Sequence, residues 1–133
     1  MDTLNIGEAA AASGVSAKKI RHYEEICLLP GAKRTPAGYR VYRESDVHEL
    51  RFVRRARDLG FTIEEIRGLL DLWRNRGRAS GDVKRLVQRH IADLEARIAE
   101  LEAMRRTLTT LSRDCHGDAR PECPILDDLA GNP

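Results

Sequence analysis

The chain has 133 residues, 41% of them apolar and 33% charged, with 23 Lys and Arg against 21 Asp and Glu. That length allows one domain, or one domain with an arm, and so large an apolar share excludes a wholly disordered chain. Apolar runs of only a few residues exclude a membrane span. Met1–Asp2–Thr3–Leu4 lacks the basic and apolar segments of a leader, and an odd count of three cysteines argues against a disulfide framework, so a cytoplasmic protein is expected.

The net charge of +2 hides a strong asymmetry. Residues 16–43 hold seven Lys and Arg against two acids, and residues 114–133 hold five acids against one Arg. A basic front suits a nucleic-acid partner, and the acidic end points to a different task.

Asn5 with Glu8 three residues on forms a capping box for a first helix whose apolar face is Ile6, Ala9 and Ala10. Ser13–Gly14–Val15–Ser16 breaks it, with Gly14 free to take positive φ and Ser16 a natural N-cap. A second helix is predicted over 17–26, with Ile20 and Tyr23 inward and Lys18, Lys19 and Arg21 near its start. Two short helices joined by a tight Gly turn form a helix-turn-helix pattern, and the early basic residues lie where a recognition helix meets the major groove. Cys27, alone among apolar neighbours, is expected to be a small core residue.

Pro30–Gly31 and Pro36–Ala37–Gly38 mark turns, and the alternating Tyr39–Arg40–Val41–Tyr42–Arg43 suits a short strand, so a hairpin or wing is expected here. Arginines interleaved with tyrosines suit a phosphate backbone, although Tyr39 or Tyr42 can equally pack on the core. Ser45 or Asp46 opens a third helix running to about Leu59, with Val47, Leu50 and Val53 inward and Gly60 ending it. Thr62 and Glu65 make a capping box for a fourth, with apolar positions Ile63, Ile66, Leu70 and Trp73. A polar stretch over 75–81 breaks the pattern.

The longest signal follows, capped by Ser80 or Asp82. Apolar residues at Val83, Val87, Ile91, Leu94, Ile98, Leu101, Met104, Leu108 and Leu111 take eight steps over 28 residues, the 3.5-residue period of a coiled coil. A helix of about 30 residues spans roughly 45 Å. A narrow stripe of that length needs a second copy, parallel or antiparallel, so a homodimer is predicted. The fold class expected is therefore all-α with a small β-hairpin wing: a winged helix-turn-helix DNA-binding domain over 1–76, a dimerisation helix over 77–113, and a loop with a short terminal helix over 114–133, Pro124 standing at that helix's first position.

Cys115 and Cys123 bracket a loop of seven residues. Thiolates select soft ions such as Cu(I), Ag(I), Au(I), Zn(II) or Hg(II). Structural zinc takes four N or S ligands, whereas this loop offers two thiolates and one obvious further donor, His116. Two thiolates suit a monovalent ion that accepts linear coordination. The resulting net charge of −1 requires compensation, from a helix N-terminus near Pro124 or from a nearby cation. The same span can also close as a disulfide. No paired-carboxylate site, Ser/His/Asp grouping or phosphate-binding Gly loop points to an enzyme.

These elements resemble the MerR family of transcription regulators over residues 4–130. The motifs that carry the resemblance are Leu4-Asn5-Ile6-Gly7-Glu8-Ala9-Ala10, Arg21-x-Tyr23-Glu24, Gly38-Tyr39-Arg40-x-Tyr42 and Arg54-x-x-Arg57-x-Leu59-Gly60-Phe61. Cys115, seven residues, then Cys123-Pro124-Ile125-Leu126 is similar to the copper-responsive branch, which includes silver- and gold-responding members. In mercury and zinc sensors of the family a cysteine opens the dimer helix; Ser80 holds the matching position here.

The resemblance implies DNA contacts from Lys18, Arg21 and Tyr23 on the recognition helix. It adds Arg34, Tyr39, Arg40 and Tyr42 on the wing and Arg57 beyond it. It implies one Cu(I), or Ag(I) or Au(I), per chain on Cys115 and Cys123, with Lys84 offsetting the charge and Ser80 over the site. It further implies a homodimer on a palindromic double-stranded promoter, which activates RNA polymerase by bending and undertwisting the spacer DNA when metal binds. Alternatives are a thiol-redox regulator, a Zn(II)-responsive member of the family, and a coiled-coil metal buffer that does not bind DNA.

Overall fold

Caps set the helix starts. In the computed structural model, which describes residues 3–131, Asn5 Oδ1 accepts from the Glu8 N–H at 2.8 Å and Glu8 Oε1 accepts from the Asn5 N–H at 3.0 Å. This box opens α1 (Ile6–Ser13), and Gly14 closes it at φ 76°. Ser16 Oγ accepts from the Lys19 N–H at 3.2 Å and opens α2 (Ala17–Glu25). Two two-residue strands follow, β1 (Lys33–Arg34) and β2 (Arg40–Val41), antiparallel with Lys33 opposite Val41 and Arg34 opposite Arg40. Leu4 extends this hairpin by exchanging backbone hydrogen bonds with Tyr42, both 2.8 Å.

The third helix, α3 (Glu44–Asp58), begins one residue before the earlier of the two expected starts. Its N-cap is Arg43, whose backbone N–H donates to Asp46 Oδ2 at 2.8 Å, so Asp46 acts from the third helical position. Gly60 (φ 85°) turns the chain, and the Thr62–Glu65 capping box opens α4 (Ile63–Arg74) with bonds of 2.9 and 3.2 Å. The fifth helix, α5 (Ser80–Asp114), is 35 residues long, about 52 Å at 1.5 Å per residue. The last, α6 (Pro124–Leu129), carries Pro124 at its start, where a missing N–H costs no helical bond.

The chain forms two units, Met1–Leu86 and Val87–Pro133. In the first, α1 packs on α2 and α3, and α3 packs on α4. Ile20, Leu28, Leu50, Val53, Ile66 and Leu70 are the most completely buried large side chains, each under 2% exposed. Hydrophobic burial of this kind contributes about 1.5–3 kcal/mol per side chain. Gly68 on α4 faces Leu86 of α5, leaving ordinary contact distance for one extra carbon. The second unit comprises the rest of α5, the cysteine loop and α6. No helix among the described residues is long and apolar enough to cross a membrane.

Two expectations are corrected. Cys27 is exposed, not in the core, and its φ of 58° lies in the left-handed region. The turn after α2 directs its neighbours Leu28 and Leu29 inward and leaves Cys27 on the outside. Trp73, grouped with the apolar stripe of α4, is 54% exposed, because the face buried there is Ile66, Leu69 and Leu70. Its ring instead lies beside Phe52, centroids 6.0 Å apart, with the Arg78 guanidinium 5.7 Å above it.

Candidate functional site

The first unit carries exposed basic residues on three elements. Lys18 and Arg21 are exposed on α2, Arg34 and Tyr39 on the hairpin, and Arg57 on α3. Lys18 sits in the first turn of α2, where the helix dipole disfavours a cation, so its placement there is not explained by helix stability. Arg34 Nη1 donates to the Gly38 carbonyl at 2.8 Å, which braces the turn that presents Tyr39, 73% exposed. Gly38 itself needs φ 91°, open to glycine without strain. Arg57 Nη1 donates to the Phe61 carbonyl at 3.2 Å.

Tyr23 and Tyr42 belong to the interior, at 6% and 4% exposure. The Tyr42 hydroxyl donates to Glu24 Oε1 at 2.7 Å. Burial first, and then that hydrogen bond, hold its pKa well above the ordinary phenol value, so Tyr42 is a neutral donor. The other Glu24 oxygen lies 3.2 Å from Arg40 Nε. Glu24 therefore joins α2 to β2 and to the residue after it, Tyr42. Glu24 and Tyr42 stand 18 positions apart in sequence, so no spacing rule finds this contact.

Three further residues lay beyond any local signal. Arg51 donates twice to the Ala12 carbonyl, at 2.9 and 3.1 Å, closing the C-terminal end of α1. Arg67 reaches from α4 to the Cys27 and Ile26 carbonyls, at 2.9 and 3.1 Å. Arg74 makes a two-bond contact with Glu49, at 2.8 and 3.0 Å, between α4 and α3. Their partners lie 25 to 41 residues away in sequence, so no spacing rule finds them.

The second unit holds the two candidate thiols. Cys115 follows α5 directly, and its N–H donates to the Leu111 and Ser112 carbonyls at 3.2 and 3.3 Å. Gly117 turns the chain at φ 69°. Asp118 then accepts from the backbone and guanidinium of Arg120, which holds its carboxyl below the usual range. Cys123 is the N-cap residue of α6 and its carbonyl accepts from the Asp127 N–H at 3.0 Å. Both thiols are free and half-buried, whereas His116 is exposed. Among the described residues no group of three or more His, Cys, Asp and Glu is placed to hold a metal ion. A donor set of two thiols is therefore what the loop offers, and it fits an ion that accepts two soft ligands.

Ser80 and Lys84 are exposed on the first turns of α5, in the first unit. Farther along, the apolar stripe is open: Ile98, Leu101, Met104 and Leu108 are 54–62% exposed. Leu126 and Leu129 of α6 are likewise exposed.

Family comparisons agree with this organisation. A model described as MerR HTH family regulatory protein matches residues 4–73, and one described as MerR, DNA binding, matches residues 47–111. The heavy metal-dependent transcription regulator 2 of Rhizobium meliloti is 58% identical over 127 residues, 96% of this chain and 86% of that protein. The HTH-type transcriptional regulator CueR of Yersinia pestis is 41% identical over 128 residues, 96% of this chain and 92% of that one. Among solved structures, the transcription regulator PbrR691 from Ralstonia metallidurans, in complex with lead(II), superposes with a TM-score of 0.84 at 36% identity, covering 95% of this chain and 98% of that one. These relatives are regulators and not enzymes, and the matched helix-turn-helix, hairpin and long helix leave one assignment: the chain belongs to the MerR family of DNA-binding transcription regulators.

Proposed function

We propose that this chain is a cytoplasmic, metal-responsive transcription regulator, which binds a palindromic promoter as a homodimer and answers to Cu(I), or to Ag(I) or Au(I). The observation that carries the choice of ion is the donor set: two half-buried free thiols, Cys115 and Cys123, at the two ends of one turn-rich loop. The heavy-metal dependence in the name of the R. meliloti relative supports a metal response in general. The preference for a monovalent ion over zinc rests on the count of thiolates, because structural zinc takes four ligands; the preference over mercury rests on Ser80, which stands where the family's mercury sensors have a further cysteine.

Cys115 and Cys123 would hold the ion, one per chain, and the ion would supply two soft bonds across the loop. Holding Cys123 in this way would fix the start of α6, because Cys123 is its N-cap residue and Pro124 its first. By matched position in the family, Lys84 is the candidate cation to offset the single negative charge of a bis-thiolate site, and Ser80 the candidate residue over it. At the other end, Lys18 and Arg21 enter the major groove while Arg34, Tyr39, Arg40 and Arg57 hold phosphates. Tyr23 and Tyr42 serve that surface from inside, as the buried support of α2 and the wing. Activation follows from distortion of the promoter spacer, at a cost of about 1–6 kcal/mol for bending, and presents both promoter elements to RNA polymerase.

The experiment is an anaerobic titration of the reduced protein with Cu(I) against a competing chelator, with Zn(II) and Hg(II) in parallel. One tightly held Cu(I) per chain, lost in Cys115→Ser and in Cys123→Ser, is expected. Weak Cu(I) binding with tight Zn(II) binding overturns the monovalent assignment. A promoter response to oxidant without metal makes the same cysteines a redox pair.

A further inference from the structure

The basic surface needs the wing held in one place relative to α2. A cavity of about 220 Å³ lies between the hairpin, α2 and α3, lined among others by Ile20, Glu24, Leu29, Val41, Tyr42 and Leu50. Glu24, on its wall, makes two different polar links to the wing. Its Oε1 accepts from the Tyr42 hydroxyl at 2.7 Å, and its Oε2 stands 3.2 Å from Arg40 Nε. The second contact is an attraction between charges without hydrogen-bond alignment: Arg40 Nε is fully buried and has no hydrogen-bond partner. The Arg40 side chain still keeps 27% of its surface exposed, so the buried nitrogen anchors one edge while another part reaches solvent. The Glu24 side chain is only 10% exposed, so water screens this pair weakly.

We infer that Glu24 is a positioning residue for DNA binding: it anchors the Arg40 guanidinium of the wing against the recognition helix and so presents that cation to a single backbone phosphate. The inference rests on the DNA-binding role of the wing proposed above. Glu24 touches no DNA in this account; it acts through Arg40. The amide of Gln at position 24 still accepts from the Tyr42 hydroxyl but lacks the charge that holds Arg40. Glu24→Gln therefore separates the two links.

The test measures binding of the full-length protein to a palindromic promoter fragment and to an unrelated duplex, across a range of salt concentrations. Each phosphate contact contributes about 0.9 to the slope of log K against log salt. Glu24→Gln is expected to lower that slope by about one contact and to narrow the ratio of promoter to unrelated binding, measured at a temperature where circular dichroism shows the variant folded. Arg40→Gln is expected to lower the slope equally, and the double variant no further. A Glu24→Gln slope equal to wild type, or losses that add in the double variant, overturns the inference. Should Glu24→Gln unfold, the slope of Arg40→Gln decides: an unchanged slope overturns it. Failure of the wild type to bind the promoter fragment at all strikes the DNA-binding proposal itself.

Discussion

Arg67 on α4 places Nη1 2.9 Å from the carbonyl oxygen of Cys27, a residue held at φ 58° in the turn after α2. With Nη2 on the Ile26 carbonyl at 3.1 Å, one guanidinium closes the C-terminal end of the recognition helix from a different helix pair. The last carbonyls of a helix have no partner within it, so Arg67 satisfies groups that α2 cannot. Arg67→Ala is expected to destabilise the fold by about 1–3 kcal/mol, the range for a lost charge-assisted bond. Cys27→Gly is expected to stabilise it by about 1 kcal/mol, since left-handed backbone costs non-glycine residues about 1–2 kcal/mol. Urea denaturation of both variants checks this pair, and a destabilised Cys27→Gly would remove backbone strain from the account.

Tyr42 gives a pH signature. Its pKa is raised above the ordinary value of about 10 by burial and by Glu24, so the folded state keeps its proton where the unfolded chain would lose it. A raised folded pKa means that the stabilisation is complete below about pH 10 and is lost as pH rises beyond it. The wild type is expected to lose up to about 1.4 kcal/mol for each pH unit above 10 relative to Tyr42→Phe, which has no such proton. Thermal melts of both proteins between pH 8 and about pH 11 measure the difference. Parallel curves would mean that the phenol titrates freely.

Gly14 joins the two helices of the DNA-binding motif at φ 76°, and a Cβ there would collide with the Arg54 guanidinium. Arg54 can swing aside, since the clash is with the end of a flexible side chain, but the backbone cannot escape its left-handed conformation. Gly14→Ala is expected to cost about 1–2 kcal/mol, and Gly14→Asn less, because Asn tolerates that region better. Equal costs for the two would make the side-chain clash the dominant effect. The measurement is again the denaturation midpoint.

Local chemistry was legible and distant chemistry was not. The capping boxes at Asn5–Glu8 and Thr62–Glu65, the Gly14 break and the start of α6 at Pro124 all follow from residues at most four apart. Each was readable because the physics that decides it is equally local. Trp73 and Cys27 went astray for the opposite reason. Both stand at the end of an element, where the facing surface is set by how the chain turns and not by a helical period. The arginines show the same limit. By residue type Arg51 is one more cation of α3, yet it is bonded to the Ala12 carbonyl, 39 residues away. Of the candidate site, the exposed cations of α2 and the wing and the two half-buried thiols were readable from residue type. The inward placement of Tyr42 needed the three-dimensional position of Glu24.

The stripe on α5 is the case in which sequence and structure pose the same question. Its period of 3.5 residues marks a helix that packs along one narrow seam, and in a single chain that seam is open, with Leu101 at 62% and Leu108 at 57% exposure. Four such side chains, Ile98, Leu101, Met104 and Leu108, exceed what a monomer's isolated surface hydrophobics explain, because they are contiguous on one face. A second copy of the same helix offers a matching stripe. Placing a carboxylate in that seam leaves a charge that a buried interface cannot hydrate. The double variant Ile98→Asp with Leu101→Asp is therefore expected to be monomeric by sedimentation at concentrations where the wild type is dimeric. It is also expected to lose at least about tenfold in promoter affinity, since two half-sites would no longer be bound by one particle. The core around Ile20, Leu50 and Ile66 lies in the first unit and should keep that unit folded, which its far-UV circular dichroism reports. A wild type that sediments as a monomer at every concentration would end the dimer proposal, and with it the palindromic operator.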